Sequence, residues 1–201
     1  LGDVYKRQLL LAHPELKGKI ARISLMGGGI ATGNWTPAAE FNILVDPEAA
    51  KIVFTSGVPI TMAGLDVTEK ALILPEDFAR VRALGNPVSD IVAHWLEFFY
   101  KFHRSIGYAG APMHDPCAVM ALIHPEIFTI RPMYVQVETG GEYCRGTTVG
   151  DLLGFSGHAP NADVLMDVDR SRFADLLVEA IGFYGAVSYT HLRAHETRRH
   201  L

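Results

Sequence analysis

The chain has 201 residues, 49% of them hydrophobic and 20% charged, enough for the core of one domain or a little more. No apolar run is long enough to span a bilayer, and no charged segment leads into an apolar stretch at the start. The net charge of −4, without a basic stripe, argues against nucleic acid as a partner.

In chain order, the first eight residues, LGDVYKRQ, differ in composition from the body of the chain and read as a non-native tail. Leu9 to Leu16 forms a short helical piece. Ala21 to Met26 is an apolar run stopped by Gly27, Gly28 and Gly29, the pattern of a buried strand. Residues 30 to 45 read as a long loop followed by an extended piece. Asp46-Pro47-Glu48 opens a helix that runs through Phe54 and stops at Gly57, because Asp46 can cap free N–H groups and Pro47 suits the first turn. Val58 to Leu65 is the next strand, with Asp66 at its end. Pro75-Glu76-Asp77 opens a helix that Gly85-Asn86-Pro87 ends, and a longer helix covers Val88 to Arg104. Its stripe of Ile91, Trp95, Phe98, Phe99 and Phe102 has helical spacing and is expected in the core.

His114-Asp115-Pro116 precedes an apolar helix, Cys117 to Ile123. Residues 132 to 149 alternate like a hairpin, with Gly140-Gly141 at the turn. Val164 to Val168 is a strand, and Ser171 to Phe183 a final amphipathic helix. Residues 186–201, rich in His and Arg, show no amphipathic period and read as a second non-native tail; neither end is expected to pack. The two tails contribute +1 and +2, leaving a body of −7 over residues 9–185. Alternating strands and helices predict an α/β fold with a largely parallel sheet flanked by helices, whose ligands bind where strands end and loops begin. The cysteines, Cys117 and Cys144, match no metal or redox spacing and read as reduced thiols of a cytoplasmic protein.

Two segments carry candidate chemistry. The stretch from Met26 to Asn42 begins with a glycine triplet, which lets backbone approach a ligand closely. It fails as a dinucleotide fingerprint: Gly27, Gly29 and Gly33 are spaced one residue too long, and Trp35-Thr36-Pro37 cannot open the required helix. Asn34, Glu40 and Asn42 supply two amides and a carboxylate, groups that suit vicinal sugar hydroxyls, although ordinary loop polarity accounts for the spacing better. At His114-Asp115, an imidazole beside a carboxylate suits acid/base or metal chemistry, and Asp before Pro also suits a plain helix start. His103 and Tyr108, where the long helix ends, are further candidates for reaching a ligand near His114.

LMGGG, GNWTPAAEFNILVDPEAAKIVF, GLDVT and GAPMHDPCAVMALIHPEIF together resemble the inosine–uridine-preferring nucleoside hydrolases, close to the pyrimidine-preferring members, across residues 9 to 184. The resemblance implies a Rossmann-like core and hydrolysis of the N-glycosidic bond of ribonucleosides to ribose and free base. It also implies a bound Ca2+ and, for the intact parent, a homo-oligomer. In the residues that match, Asp115 corresponds to a metal ligand and His114 to the histidine near the leaving base. Glu40 and Asn42 correspond to the pair that holds the ribose hydroxyl side, Asn34 to the asparagine earlier in the loop, and Met26 to the methionine that lies against the sugar. These six residues are expected to converge on one cleft. In the mechanism the resemblance implies, calcium, with about six to eight oxygen ligands, would activate a water, and the glycosidic bond would loosen toward an oxocarbenium-like state. The family's DxDPGxDD cluster, which supplies most of the calcium ligands, does not occur in these residues. The expectation is therefore a partial hydrolase domain with its N-terminal strands missing, inactive by itself. A catalytically silent nucleoside- or sugar-binding protein on the same scaffold is the alternative.

Overall fold

The computed structural model describes the backbone of residues 9–196 and the side chains of residues 9–184. The expectations for the tail at residues 1–8, for residues 197–201 and for the side chains of residues 185–196 fall outside the described residues. A helical turn at residues 9–12 leads into a 3-10 turn, Pro14–Lys19. Beyond it come β1 (Ile23–Met26), α1 (Phe41–Val45), α2 (Pro47–Phe54), β2 (Ile60–Ala63), α3 (Leu65–Thr68), β3 (Leu72–Ile73), α4 (Pro75–Ala83), α5 (Pro87–Ser105), β4 (Ala111–Pro112), α6 (Asp115–Ile123), β5 (Phe128–Met133), β6 (Val135–Val137), β7 (Thr148–Gly150), β8 (Ala162–Val168) and α7 (Arg170–Glu196).

These elements form two compact units. The first comprises the residues up to Lys70 together with His114–Val168. It contains a four-stranded sheet in the order β1-β2-β8-β5. β1, β2 and β8 run parallel and β5 antiparallel, so the sheet is mixed but mostly parallel. β2 is buried at all four residues, the continuous apolar pattern of a strand covered on both faces. Leu25, Ile43, Val53, Phe54, Ile60, Met62, Met133 and Val164 pack into one core. Burying side chains of this size stabilises the fold by about 1.5–3 kcal/mol each relative to exposure. A small antiparallel pair, β6 with β7, completes the unit.

Proline and cap chemistry set the helix starts. Asp46 Oδ1 accepts from the Ala49 N–H at 2.9 Å, with Pro47 in the first turn of α2. After α2, Gly57 takes φ +80° with open space around its Cα.

The segment expected to be extended before Asp46 is instead the short helix α1. Its β-branched and aromatic residues favour a strand, but Glu40 caps the N–H groups of Asn42 and Ile43 and turns the chain into a helix. The hairpin is present as β6–β7, with the turn spread over ten residues rather than tightly closed at Gly140-Gly141. β5 and the short pair β3–β4 were not among the expected elements.

The second unit comprises Ala71–Met113 and the residues from Asp169 onward. Within it, α4, α5 and α7 pack together, with β3 pairing antiparallel to β4. Asp77, almost fully buried, is its polar anchor. It accepts from the Leu74 N–H and from Arg80 and Arg170, the last at 2.6 Å. The aromatic stripe of α5 is not core: Trp95, Phe98 and Phe102 are 68%, 76% and 64% exposed, and only Ala93, Leu96 and Ser89 of this helix are buried. The last helix extends beyond the expected Phe183 to Glu196.

Candidate active site

All six candidate residues belong to the first unit. β1 ends at Met26, which lies in register with Ala63 at the end of parallel β2. The glycine loop after Met26 is therefore at the carboxyl edge of the sheet. Gly28 has φ +74°, and a Cβ there would stand 2.6 Å from Thr148 Oγ1 and 2.8 Å from Met62 Cε, so only glycine fits.

Glu40 is 2% exposed. Its Oε2 accepts from the Gly28 N–H at 2.8 Å and from the Ile43 N–H at 3.2 Å, and its Oε1 accepts from the Asn42 N–H at 2.9 Å. It thus caps α1 and ties that helix to the glycine loop twelve residues earlier. Asn42 Nδ2 contacts the Met26 carbonyl at 3.4 Å and Met26 Sδ at 3.1 Å. Met26, Glu40 and Asn42 are thereby knitted together. Asn34 Oδ1 accepts from the Phe41 N–H at 3.0 Å, and its side chain is exposed beside Trp35, whose ring packs 5.1 Å from that of Phe41.

His114 and Asp115 enter the same edge from the far side of the sequence. Ser24 Oγ donates to the Ala118 carbonyl at 2.6 Å, and His114 Nδ1 lies 2.9 Å from Thr68 Oγ1. Ser24 is two residues before the end of β1, and Thr68 closes the helix after β2. Hence α6 starts at the carboxyl edge and runs back along the strands. Asp115 is its first residue, exposed, at the end where free N–H groups favour a negative charge.

Every backbone N–H from Gly27 to Ala31 has an acceptor within the protein. Gly27 donates to the Ala63 carbonyl, Gly28 to Glu40, Gly29 to Thr148 Oγ1, and Ile30 and Ala31 to the two oxygens of Asp66. A phosphate loop works by pointing such N–H groups at its ligand. Here they are consumed, two of the acceptors being carboxylates, which agrees with the failed dinucleotide spacing.

Three residues of this edge, Asp66, Thr68 and Thr148, were not among the candidate site residues, although Asp66 and Thr68 fall within the GLDVT segment. The first two lie just past the end of a strand, a position that marks ligand-facing edges of parallel sheets. Thr148 lies 119 residues from its partner Gly29, so no local pattern reveals it. His103 and Tyr108 sit in the second unit, their rings 5.4 Å apart.

For a metal, Asp115 is the candidate ligand. Among the described residues no three His, Cys, Asp or Glu side chains cluster to hold an ion. Calcium needs several oxygen ligands, so these residues do not by themselves fit it.

The sequence matches the profile of the inosine-uridine preferring nucleoside hydrolases over residues 7–175. The chain belongs to that family. It is 58% identical over 178 residues to the pyrimidine-specific ribonucleoside hydrolase RihA of Escherichia fergusonii, covering 88% of this chain and 57% of that protein. To the RihA of Citrobacter koseri it is 57% identical over 180 residues, 89% of this chain and 58% of that protein. The purine-preferring ribonucleoside hydrolase from Gardnerella vaginalis superposes with a TM-score of 0.82 at 33% identity, over 90% of this chain and 58% of that one. The chain thus spans under three fifths of the length of the curated relatives it matches. Among the described residues, no helix of this family member is long and apolar enough to cross a membrane.

Proposed function

We propose that the protein to which residues 9–185 belong hydrolyses the N-glycosidic bond of ribonucleosides, releasing ribose and free base. The observation that supports this reading is that two distant segments both stand at the carboxyl edge of one sheet: the Met26–Glu40–Asn42 network at the end of β1, and His114-Asp115 at the start of α6. In this reading Met26 lies against the sugar, while Asn34, Glu40 and Asn42 address its hydroxyls. Glu40 does so from a buried position, chiefly by fixing the glycine loop and the Asn42 backbone. Negative and amide groups around the ribose stabilise positive charge developing at its anomeric carbon. His114 hydrogen-bonds or protonates the leaving base, so that the base departs without full negative charge.

Asp115 would contribute one carboxylate oxygen to the Ca2+ implied by the family. The described residues do not complete such a site. Pyrimidine ribonucleosides are the first substrates to test, because the relatives at 57–58% identity are pyrimidine-specific by name. The second reading is a catalytically silent nucleoside- or sugar-binding protein on the same scaffold.

The test is release of free base from uridine and inosine, with and without millimolar calcium, by the 201-residue chain and by a parent protein of the relatives' full length. The parent is expected to turn over and the 201-residue chain not. Nucleoside binding by the parent without cleavage would establish the silent reading instead.

A further inference from the structure

Thr68 closes α3 at the carboxyl end of β2 and is fully buried. A buried hydroxyl must place its proton on some acceptor, or forfeit a hydrogen bond at a cost comparable to full desolvation of the group. A helical threonine ordinarily donates to the carbonyl four residues back. Here that carbonyl, Gly64, receives the backbone N–H groups of Val67 and Thr68 at 3.2 and 3.1 Å. Among the described residues the one hydrogen-bond partner of Thr68 Oγ1 is His114 Nδ1, at 2.9 Å.

We propose that Thr68 is a positioning residue that donates its hydroxyl proton to His114 Nδ1, holding the ring in its Nε2–H tautomer. A neutral imidazole carries one N–H and one lone pair, and the partner of one nitrogen dictates the role of the other. With Nδ1 accepting from Thr68, the proton sits on Nε2. The opposite arrangement, Nδ1–H donating to Thr68, strands the buried hydroxyl proton. The ring is also fixed in orientation, because Thr68 sits in a helix bound to the strand end through Leu65, whose N–H donates to the Gly28 carbonyl at 2.8 Å. The same short helix therefore sets both the glycine loop and the histidine. For the hydrolase reading, on which this inference's catalytic meaning rests, the consequence is a histidine that presents an N–H donor, not an acceptor, to the leaving base.

The experiment uses the 201-residue chain labelled with 15N-histidine, at alkaline pH where free imidazole is neutral. The His114 ring signals are identified by their loss in His114→Gln. Nδ1 is expected to be unprotonated and shifted by an incoming hydrogen bond, with the proton on Nε2. Thr68→Val, which keeps the shape and removes the hydroxyl, is expected to move the Nδ1 signal to that of an unbonded imine nitrogen. Thr68→Ser is expected to restore it. A proton found on Nδ1 in the unmodified chain overturns the proposal, as does an Nδ1 signal unchanged in Thr68→Val. The unmodified chain alone decides the first point should the valine variant fail to fold. None of these signals depends on nucleoside cleavage. A chain with the Nε2–H tautomer whose parent cleaves no nucleoside refutes the hydrolase reading and leaves the positioning role intact.

Discussion

Gly28→Ala is the sharpest test of how the sheet edge is held. Two costs are expected to combine. At φ +74° an alanine is strained by about 1–2 kcal/mol. Its Cβ would also stand 2.6 and 2.7 Å from Thr148 Oγ1 and Cγ2, and 2.8 Å from Met62 Cε. Thr148 is buried and exchanges two hydrogen bonds with Gly29, accepting from its N–H and donating to its carbonyl, each at 2.9 Å. Relieving the clash means either overpacking, about 1–3 kcal/mol, or turning Thr148 away and losing those bonds at about 0.5–1.5 kcal/mol each. The expected total is about 2–5 kcal/mol. Gly57→Ala is the control: its φ is +80°, but nothing lies within 4 Å of the added carbon, so it carries the backbone strain alone. Urea unfolding would be followed by far-UV circular dichroism and by the fluorescence of Trp35, in a Trp95→Phe background so that only the first unit reports. With a slope of about 2 kcal/mol per molar urea, Gly28→Ala should unfold about 1 M earlier than Gly57→Ala. Coincident midpoints would show that Thr148 does not clamp the loop.

Asp151 accepts from the backbone N–H groups of Phe155 and Ser156, at 2.9 and 2.7 Å. Hydrogen bonds from Ser156, first its side chain and then its backbone, hold the carboxyl down at about 2 instead of 3.8. A group with a lowered folded pKa lends stability that is complete above its unfolded value and lost as pH falls through the folded one. The turn at residues 151–156 should therefore persist at pH 3 and open only as the pH approaches 2; an Asp151 carboxyl that titrates near 4 by NMR would contradict this. Burial pushes the Cys117 thiol up to about 12, whereas Cys144 is exposed. Iodoacetamide at pH 8 should label Cys144 alone in the folded chain and both thiols in urea, as read by mass spectrometry; rapid labelling of Cys117 without denaturant would show that α6 is not packed as described.

Helix starts were the most legible part of the fold. At Asp46-Pro47, Leu74-Pro75, Asn86-Pro87 and His114-Asp115-Pro116 a proline stands in the first helical turn, where its missing N–H costs nothing. Strand β5 was illegible because four of its six residues are exposed or half-exposed and it contains Pro132. Proline is tolerated there because β5 is an edge strand. The sequence Phe-Asn-Ile-Leu-Val read as extended because its residues prefer strands, and the deciding factor, the Glu40 carboxylate over two backbone N–H groups, is a side-chain geometry that periodicity cannot encode. The α5 stripe had the spacing of a buried face and yet is exposed, since spacing establishes that residues share a face but not that the face is covered. At the candidate site, Met26, Asn34, Glu40, Asn42, His114 and Asp115 were named through resemblance to a family, since their spacing admitted an ordinary loop and an ordinary helix start.

The hydrogen-bond accounting of the glycine loop bears on which ligands this edge can take. Five consecutive N–H groups, from Gly27 to Ala31, end on a strand carbonyl, a threonine hydroxyl and two carboxylates. A loop built this way has its positive ends turned into the protein. An incoming phosphate would find no free donors there and would meet Glu40 and Asp66, with Asp115 at the start of α6 on the same sheet edge. Glycines here therefore serve close packing rather than anion binding: Gly28 makes room for Thr148, and Gly29 lies against the Thr32 carbonyl, where a Cβ would stand 2.2 Å away. That distinction argues against a nucleotide-phosphate loop on physical grounds, independently of any likeness in sequence.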